Sequence, residues 1–353
     1  MEYGVQFFPD VKPEEKSAAR YFEECLNIAE QAESLGFTHG RMVEHYFHYY
    51  GGYSPNPLLF LASLAQRTRK MRLITGALLP VFSNPLKMAG EIAMVDALSN
   101  GRVDIGFARA FLPHEFRRFG ISPNESVRRF REGIRQIDLL LREDVVNDKG
   151  EFLTIENTTS LPRPTQTPRP KFYVAALNTP ESFEYAGQNG FSIMAIPIAG
   201  GRMRELTKIY RDAWRAAGHP GDGEVMLAFH MYCEPDGDQA RATAKPFIEG
   251  YFHSLVDAAS DWLSGTSSDD YPGYANIMNK LKATNMENQI EGKSAWIGSP
   301  QELRETVAGL FDEFGPFEHA SLQIGFNMLP YDKAIASMNL FAKEVMPFRP
   351  KHG

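Results

Sequence analysis

The chain of 353 residues predicts an α/β fold, a closed (β/α)8 barrel, and three observations carry that prediction. Short apolar runs rich in β-branched and aromatic residues alternate with longer stretches of helical periodicity, which is the pattern of parallel βα units. No G-x-G-x-x-G follows the first strand candidate and no G-x-x-x-x-G-K-[ST] occurs, so the open-sheet nucleotide folds lose their main support. Residues able to do chemistry cluster just after the strand candidates, where a barrel places its active site.

The strand candidates, eight in all, are YGVQFF from Tyr3, THGRMV from Thr38, MRLITG from Met71, RVDIGF from Arg102, KFYVAA from Lys171, FSIMAI from Phe191, EVMLAFHMY from Glu224 and ASLQIGF from Ala320. The first helix carries apolar residues at Phe22, Leu26, Ile28, Ala29, Ala32 and Leu35 and stops at Gly36; another stops at Gly101. The fourth begins near SPNESVRRF, where Ser122 or Asn124 can cap and Glu125 suits the positive end of the helix dipole. Two segments break the rhythm of a single domain over 1–353. Residues 149–170 read as a hairpin and a proline-rich connector, and residues 260–291 as a long loop, either a lid or a surface insertion.

Composition narrows the function. Hydrophobic residues at 43% and charged residues at 23% are ordinary for a globular protein with a sizeable core. A formal net charge of −7 argues against nucleic acid, whose binding rests on Lys and Arg neutralising phosphates. Cys25 and Cys233, the only cysteines, are too few for a disulfide framework and suit a reducing compartment. The start, MEYGVQFFPD, does not read as a secretory signal, and no apolar run approaches the roughly 20 residues of a membrane helix, so a cytoplasmic protein without a membrane partner is expected.

The strand ends supply the candidates. GRMVEHYFHYYGG gathers imidazole and aromatic rings after the second strand; His45, close to the strand end, can exchange protons near neutral pH, whereas His48 reads as structural. The small residues of TGALLP after the third strand would let a flat ligand approach the backbone. Arg109, among apolar neighbours after the fourth, needs an anion, because a buried unpaired charge is costly. Arg128, Arg129 and Arg131 open the fourth helix, some of them solvated, and Ala176–Ser182 leads into a further helix N-terminus; a phosphate or an acidic partner would serve Arg109 equally, and with Arg109 and one of these arginines that turn would make a phosphate cradle. His45 and His48 have no second ligand cluster near them, so no metal site is expected.

EHYF after the second strand, TGALLP after the third, MAGEIAMVDALSNGRVDIGFARAF through the fourth and IASMNLFAKEVMPF near the end resemble the bacterial luciferase-like flavin-dependent monooxygenases, the luciferase α subunit in particular. The resemblance spans nearly the whole chain. It implies a homodimeric barrel that binds reduced FMN from a separate flavin reductase, forms a C4a-hydroperoxyflavin with O2, and oxidises a mainly apolar small-molecule or carrier-tethered substrate. His45 matches the catalytic histidine. Arg109 matches the arginine on the FMN phosphate, and Arg128, or Arg129 one register on, falls near a second. Ala176, Leu177 and Asn178 match the phosphate-contacting segment but without its acidic and serine side chains, which shifts the work to backbone N–H groups. Ala77 matches the residue after a non-proline cis peptide beneath the isoalloxazine, and Met194 and Ala195 fall in the segment touching the ring. Ala108, also cofactor-lining, replaces the reactive cysteine of luciferase α, and Tyr46 replaces its second histidine, so light emission is not implied. The same barrel also serves F420-dependent hydride transfer and non-catalytic flavin-binding subunits, which are the alternative readings.

Overall fold

In the computed structural model, which describes residues 1–197 and 202–348, all eight expected strands form and close on themselves. They belong to a set of eleven: β1 (Glu2–Phe7), β2 (His39–Met42), β3 (Arg72–Leu78), β4 (Val103–Phe107), β5 (Val146–Lys149), β6 (Thr154–Thr158), β7 (Phe172–Ala176), β8 (Ser192–Ala195), β9 (Val225–Cys233), β10 (Ala295–Gly298) and β11 (His319–Gln323). The parallel ring runs β1-β2-β3-β4-β7-β8-β9-β11 and returns to β1, so the (β/α)8 barrel is the fold. Both faces of every barrel strand are covered, by helices outside and by other strands within. That is why these segments read as near-continuous apolar runs instead of clean alternations.

Local chemistry sets the helix boundaries. Ser17 caps the helix Ala18–Ser34 by accepting from the Arg20 N–H at 3.3 Å, and Gly36, at φ +94°, turns the chain out of it. At the fourth βα unit, Ser122 caps only a short 3-10 turn, Pro123–Glu125, and the helix proper begins at Ser126. A seven-residue helix, Pro113–Phe119, precedes it and was not read from the sequence.

The two interruptions differ from expectation. The hairpin is β5 with β6, spanning 146–158, so it starts before Lys149, and only the proline-rich remainder is connector. The stretch 260–291 is not a long loop: after a turn it forms the helices Tyr274–Lys282 and Met286–Glu291. Tyr274, Ile277, Met278 and Leu281 recur at helical spacing, a signal hidden behind the Gly-, Ser- and Asp-rich residues before them. The strand β10 was also unexpected. It pairs with His230–Cys233, the far half of β9, and buries Trp296 against Phe229 with ring centroids 4.5 Å apart. Among the described residues no helix is long and apolar enough to cross a membrane.

Candidate active site

The C-terminal ends of the strands open into a cavity whose empty space, open solvent at the mouth included, is about 1440 Å³. Its wall has two halves. On β3, β4 and β7 the lining is small: Gly76, Ala77, Ala108, Ala175 and Ala176. On β2, β1, β11 and β9 it is polar: Arg41, Gln6, Gln323 and His230. Tyr274, Ile277, Met278 and Leu281 of the helix Tyr274–Lys282 close the top, so this part of the 260–291 segment is a roof over the cavity and the surface-insertion reading fails.

His45 lies just past β2 and is 7% exposed, with its ring on the cavity. Its Nδ1 sits 3.1 Å from Oε1 of Glu115, which also accepts the Tyr46 backbone N–H at 2.8 Å. A carboxylate acceptor at Nδ1 requires the proton there, so the neutral ring presents an unprotonated Nε2. Phe8, Tyr50 and Phe111 surround the imidazole with centroids 5.4 to 5.8 Å away, and Gly51, at φ +84°, leaves no Cβ to strike it. Next to it, the Glu44 carboxyl accepts from the Tyr46 hydroxyl at 2.5 Å and the Leu79 N–H at 3.2 Å; burial pushes its pKa up to about 8, so it holds a proton at neutral pH.

Arg109 enters the cavity from the end of β4. Its Nη1 donates to the Asp270 carbonyl at 3.0 Å, its guanidinium lies 5.1 Å from the centroid of the Tyr271 ring, and among the described residues it has no carboxylate partner. Tyr271 in turn donates to the Ala110 carbonyl at 2.8 Å, so the roof segment is pinned to the strand end that carries Arg109. The peptide Gly76–Ala77 is cis, as the sequence suggested, and both residues line the cavity. A Cβ at Gly76 would meet Arg41 Cδ at 2.4 Å, so only glycine lets the arginine stem cross β3 here.

Of the residues singled out in the sequence, His45, Ala77, Ala108, Arg109, Ala176, Leu177, Met194 and Ala195 all border this one cavity. Arg128 and Asn178 do not. Arg128 is exposed on the helix Ser126–Arg142, ion-paired to Glu151 beyond β5, and Arg129 pairs with Glu125 at 2.7 Å and stacks over Phe152, so neither register points inward. Asn178 is exposed past β7. The aromatic cluster also divides. Tyr50 faces the cavity, but Phe47 and Tyr49 point outward at 52% and 46% exposure, and Tyr46 packs in an outer cluster with Phe82 and Phe119. His48 bonds Asp257 at 3.1 Å near the surface and is not among the residues that border the cavity. Among the described residues no cluster of three metal-ligating side chains occurs.

Sequence reading missed Glu115, the roof face, and the polar row of Gln6, Arg41, His230 and Gln323. Glu115 gave no signal, being an acid 70 positions from His45 in a helix too short to recognise. The row did give one: polar residues stood within strands whose outer faces are apolar, and in a barrel such residues face the interior.

Residues 1–316 match the family model for luciferase-like monooxygenases, and the chain belongs to that family; it is an oxidoreductase. It is 33% identical over 340 residues to the oxygenase component of the flavin-dependent trigonelline monooxygenase of Acinetobacter baylyi, covering 95% of this chain and 91% of that protein. The crystal structure of the monooxygenase RslO1 from Streptomyces bottropensis superposes with a TM-score of 0.86 at 39% identity, over 98% of this chain and 99% of that one. The alkanal monooxygenase alpha chain of Photorhabdus luminescens is more distant, at 23% identity over 99% of this chain and 97% of that protein.

Proposed function

We propose that this protein is the oxygenase component of a two-component monooxygenase, which takes reduced FMN from a separate reductase and places one atom of O2 on a small organic substrate. The observation that carries this reading is that His45 and Arg109 open onto the same cavity. The residues present suit the flavin. Gly76, Ala77, Ala108, Ala175 and Ala176 leave a flat space for a tricyclic ring, with Met194 and Ala195 at its side. Arg109, met by the Asp270 carbonyl, the Tyr271 ring and the Tyr274 hydroxyl but by no carboxylate among the described residues, would pair with the phosphate, together with backbone N–H groups around Leu177. Arg128 and Asn178, off the cavity, take no part.

When bound, reduced flavin supplies the electrons that activate O2. The chain's own residues do the rest. Phe8, Tyr50, Phe111 and Tyr251, with the roof helix above them, keep water from the reacting centre, where it would divert the oxygen to H2O2. His45 Nε2 takes or returns a proton at the substrate, while Glu115 holds the tautomer that makes this possible. Buried free thiols at Cys25 and Cys233 suit the reducing cytoplasm in which a reductase would work. Leu59, Met94 and Leu98, exposed on the helices Pro57–Arg67 and Pro85–Leu98, support a homodimer that sizing in solution would reveal.

The test is an anaerobic titration with reduced FMN, followed by admission of air. Saturable binding, then O2 uptake coupled to product from a substrate panel, is the expected result. Binding of reduced F420 with no binding of reduced FMN, or tight flavin binding with no product from any substrate, would overturn the reading.

A further inference from the structure

The polar half of the cavity wall is a single row. Arg41 on β2 pairs in register with Gln6 on β1, Gln6 with Gln323 on β11, and Gln323 with His230 on β9. All four side chains border the cavity, and Arg41, His230 and Gln323 are 5%, 8% and 1% exposed. Their hydrogen-bonding is unfinished. Arg41 Nη2 donates to the Gln6 carboxamide oxygen and Nη1 reaches only the Met194 thioether, at 3.9 Å, a weak acceptor. Arg41 Nε, Gln323 Nε2 and His230 Nε2 are buried with no partner at all.

Buried polar groups are normally hydrogen-bonded, and a buried guanidinium normally has a counter-ion. Arg41 has neither in full. Burial lowers its pKa to about 10, which still leaves it cationic at neutral pH, while His230 is pushed down to about 4 and stays neutral. The Glu44 carboxyl on the cavity wall is bound to Tyr46 and the Leu79 N–H, and the Glu115 carboxyl to His45 and the Tyr46 N–H. Positive charge and spare N–H groups thus converge from adjacent strands with no carboxylate acceptor, the Arg41 stem lying against Gly76.

We infer that this row is the specificity site for the substrate, and that it seats an anionic oxygen function, a carboxylate, phenolate or enolate, on an otherwise apolar aromatic or alicyclic body. The inference rests on the cavity being the substrate site of the proposed monooxygenase. Arg41 supplies the charge and one N–H, Gln323 a second donor and His230 a third through its neutral tautomer, while Phe252 and Leu255 border the same cavity as apolar contacts. Charge-assisted hydrogen bonds of this kind are stronger than neutral ones and select a charged substrate over its neutral analogue.

The experiment uses the full chain without flavin and two probes of matched shape, 2-naphthoate and 2-naphthylmethanol, in titration calorimetry. Wild type should bind the carboxylate about 10-fold or more tighter. Arg41→Met should abolish that preference while binding the alcohol as wild type does, and Arg109→Ala should keep it. If Arg41→Met does not fold, Gln323→Leu serves, with an expected preference cut by about 3-fold. Equal affinity of wild type for the two probes, or loss of the preference in Arg109→Ala but not in Arg41→Met, would overturn the assignment. Anaerobic titration with reduced FMN separates the remaining source of an anion. An Arg41→Met protein that binds reduced FMN normally supports a substrate site, whereas one that loses the flavin yet keeps the naphthoate preference assigns Arg41 to the flavin and overturns the proposal. Failure of the monooxygenase reading itself would show differently, as wild type that does not bind reduced FMN.

Discussion

At the N-terminal end of the barrel strands, charged side chains close on one another; at the C-terminal end they are left open. Below, Arg72 on β3 donates through Nε to Asp104 on β4 at 2.9 Å. Glu224, at the foot of β9, receives Lys171 at 2.7 Å, His319 at 3.2 Å and Tyr173 at 3.2 Å, and these partners, His319 foremost, hold its carboxyl down at about 2. Arg211 binds Glu318 at 2.9 Å beside them. Above, Arg41 and Arg109 have no carboxylate among the described residues, and three donors in the polar row have no partner. Both ends belong to one fold and one set of strands. Pairing below stabilises the native state, while unpaired groups above are a cost that only a ligand recovers. The lower end therefore reads as stability and the upper end as binding and chemistry.

Substitutions sharpen or break that contrast. The largest effect is expected from His45→Ala, which should lower coupled product formation by about 10²- to 10⁴-fold with the fold intact, measured as product per O2 consumed. Wild-type coupling in that variant would remove the imidazole from the chemistry. Next, Arg109→Ala should weaken reduced FMN about 10- to 100-fold while riboflavin, which has no phosphate, binds as before. An equal loss for both ligands would place Arg109 away from the phosphate. Glu115 holds both His45 Nδ1 and the Tyr46 N–H, so in Glu115→Gln turnover should fall about 10-fold with a displaced pH profile and an unchanged KM. A purely structural role would leave that profile where it was.

At the lower end the readout is stability and not activity. Because the Glu224 carboxyl is depressed in the folded chain, to about 2 from its ordinary 4.5, its contribution is complete above pH 4.5 and disappears as the pH falls through 2. Being partly exposed and so screened, Glu224→Gln should cost about 1–2 kcal/mol at pH 7 in a denaturant titration, with kcat and KM unchanged. A change in kcat there would dissolve the division between the two ends. The smallest effect is expected from Arg128→Ala, whose exposed pair with Glu151 is worth about 0–1 kcal/mol; a marked loss of flavin affinity would restore Arg128 to the phosphate site.

The difference between the ends also marks what could be read without coordinates. The eight strands were legible because burial on both faces leaves runs such as FYVAA and VMLAFHMYC, and periodicity of that kind is local. His45 and Arg109 were legible because each lies within a few residues of a strand end. Arg128 misled because its sequence neighbourhood, a run of arginines at a helix start, fits a phosphate, and only the direction of the helix turns it toward Glu151. The roof helix carried its spacing openly but was obscured by the polar turn before it.

The sequence by itself determined the alternation of strand and helix, the closure that alternation favours, and which strand ends carry an imidazole and a guanidinium, since each follows from residues near one another along the chain. Only the tertiary structure decided that Glu115 meets His45, that Asp270 and Tyr271 meet Arg109, and that Arg41, Gln6, Gln323 and His230 stand at one level across four strands. Those contacts join positions tens to hundreds of residues apart, and their register is set by strand pairing and barrel closure, which no local pattern encodes.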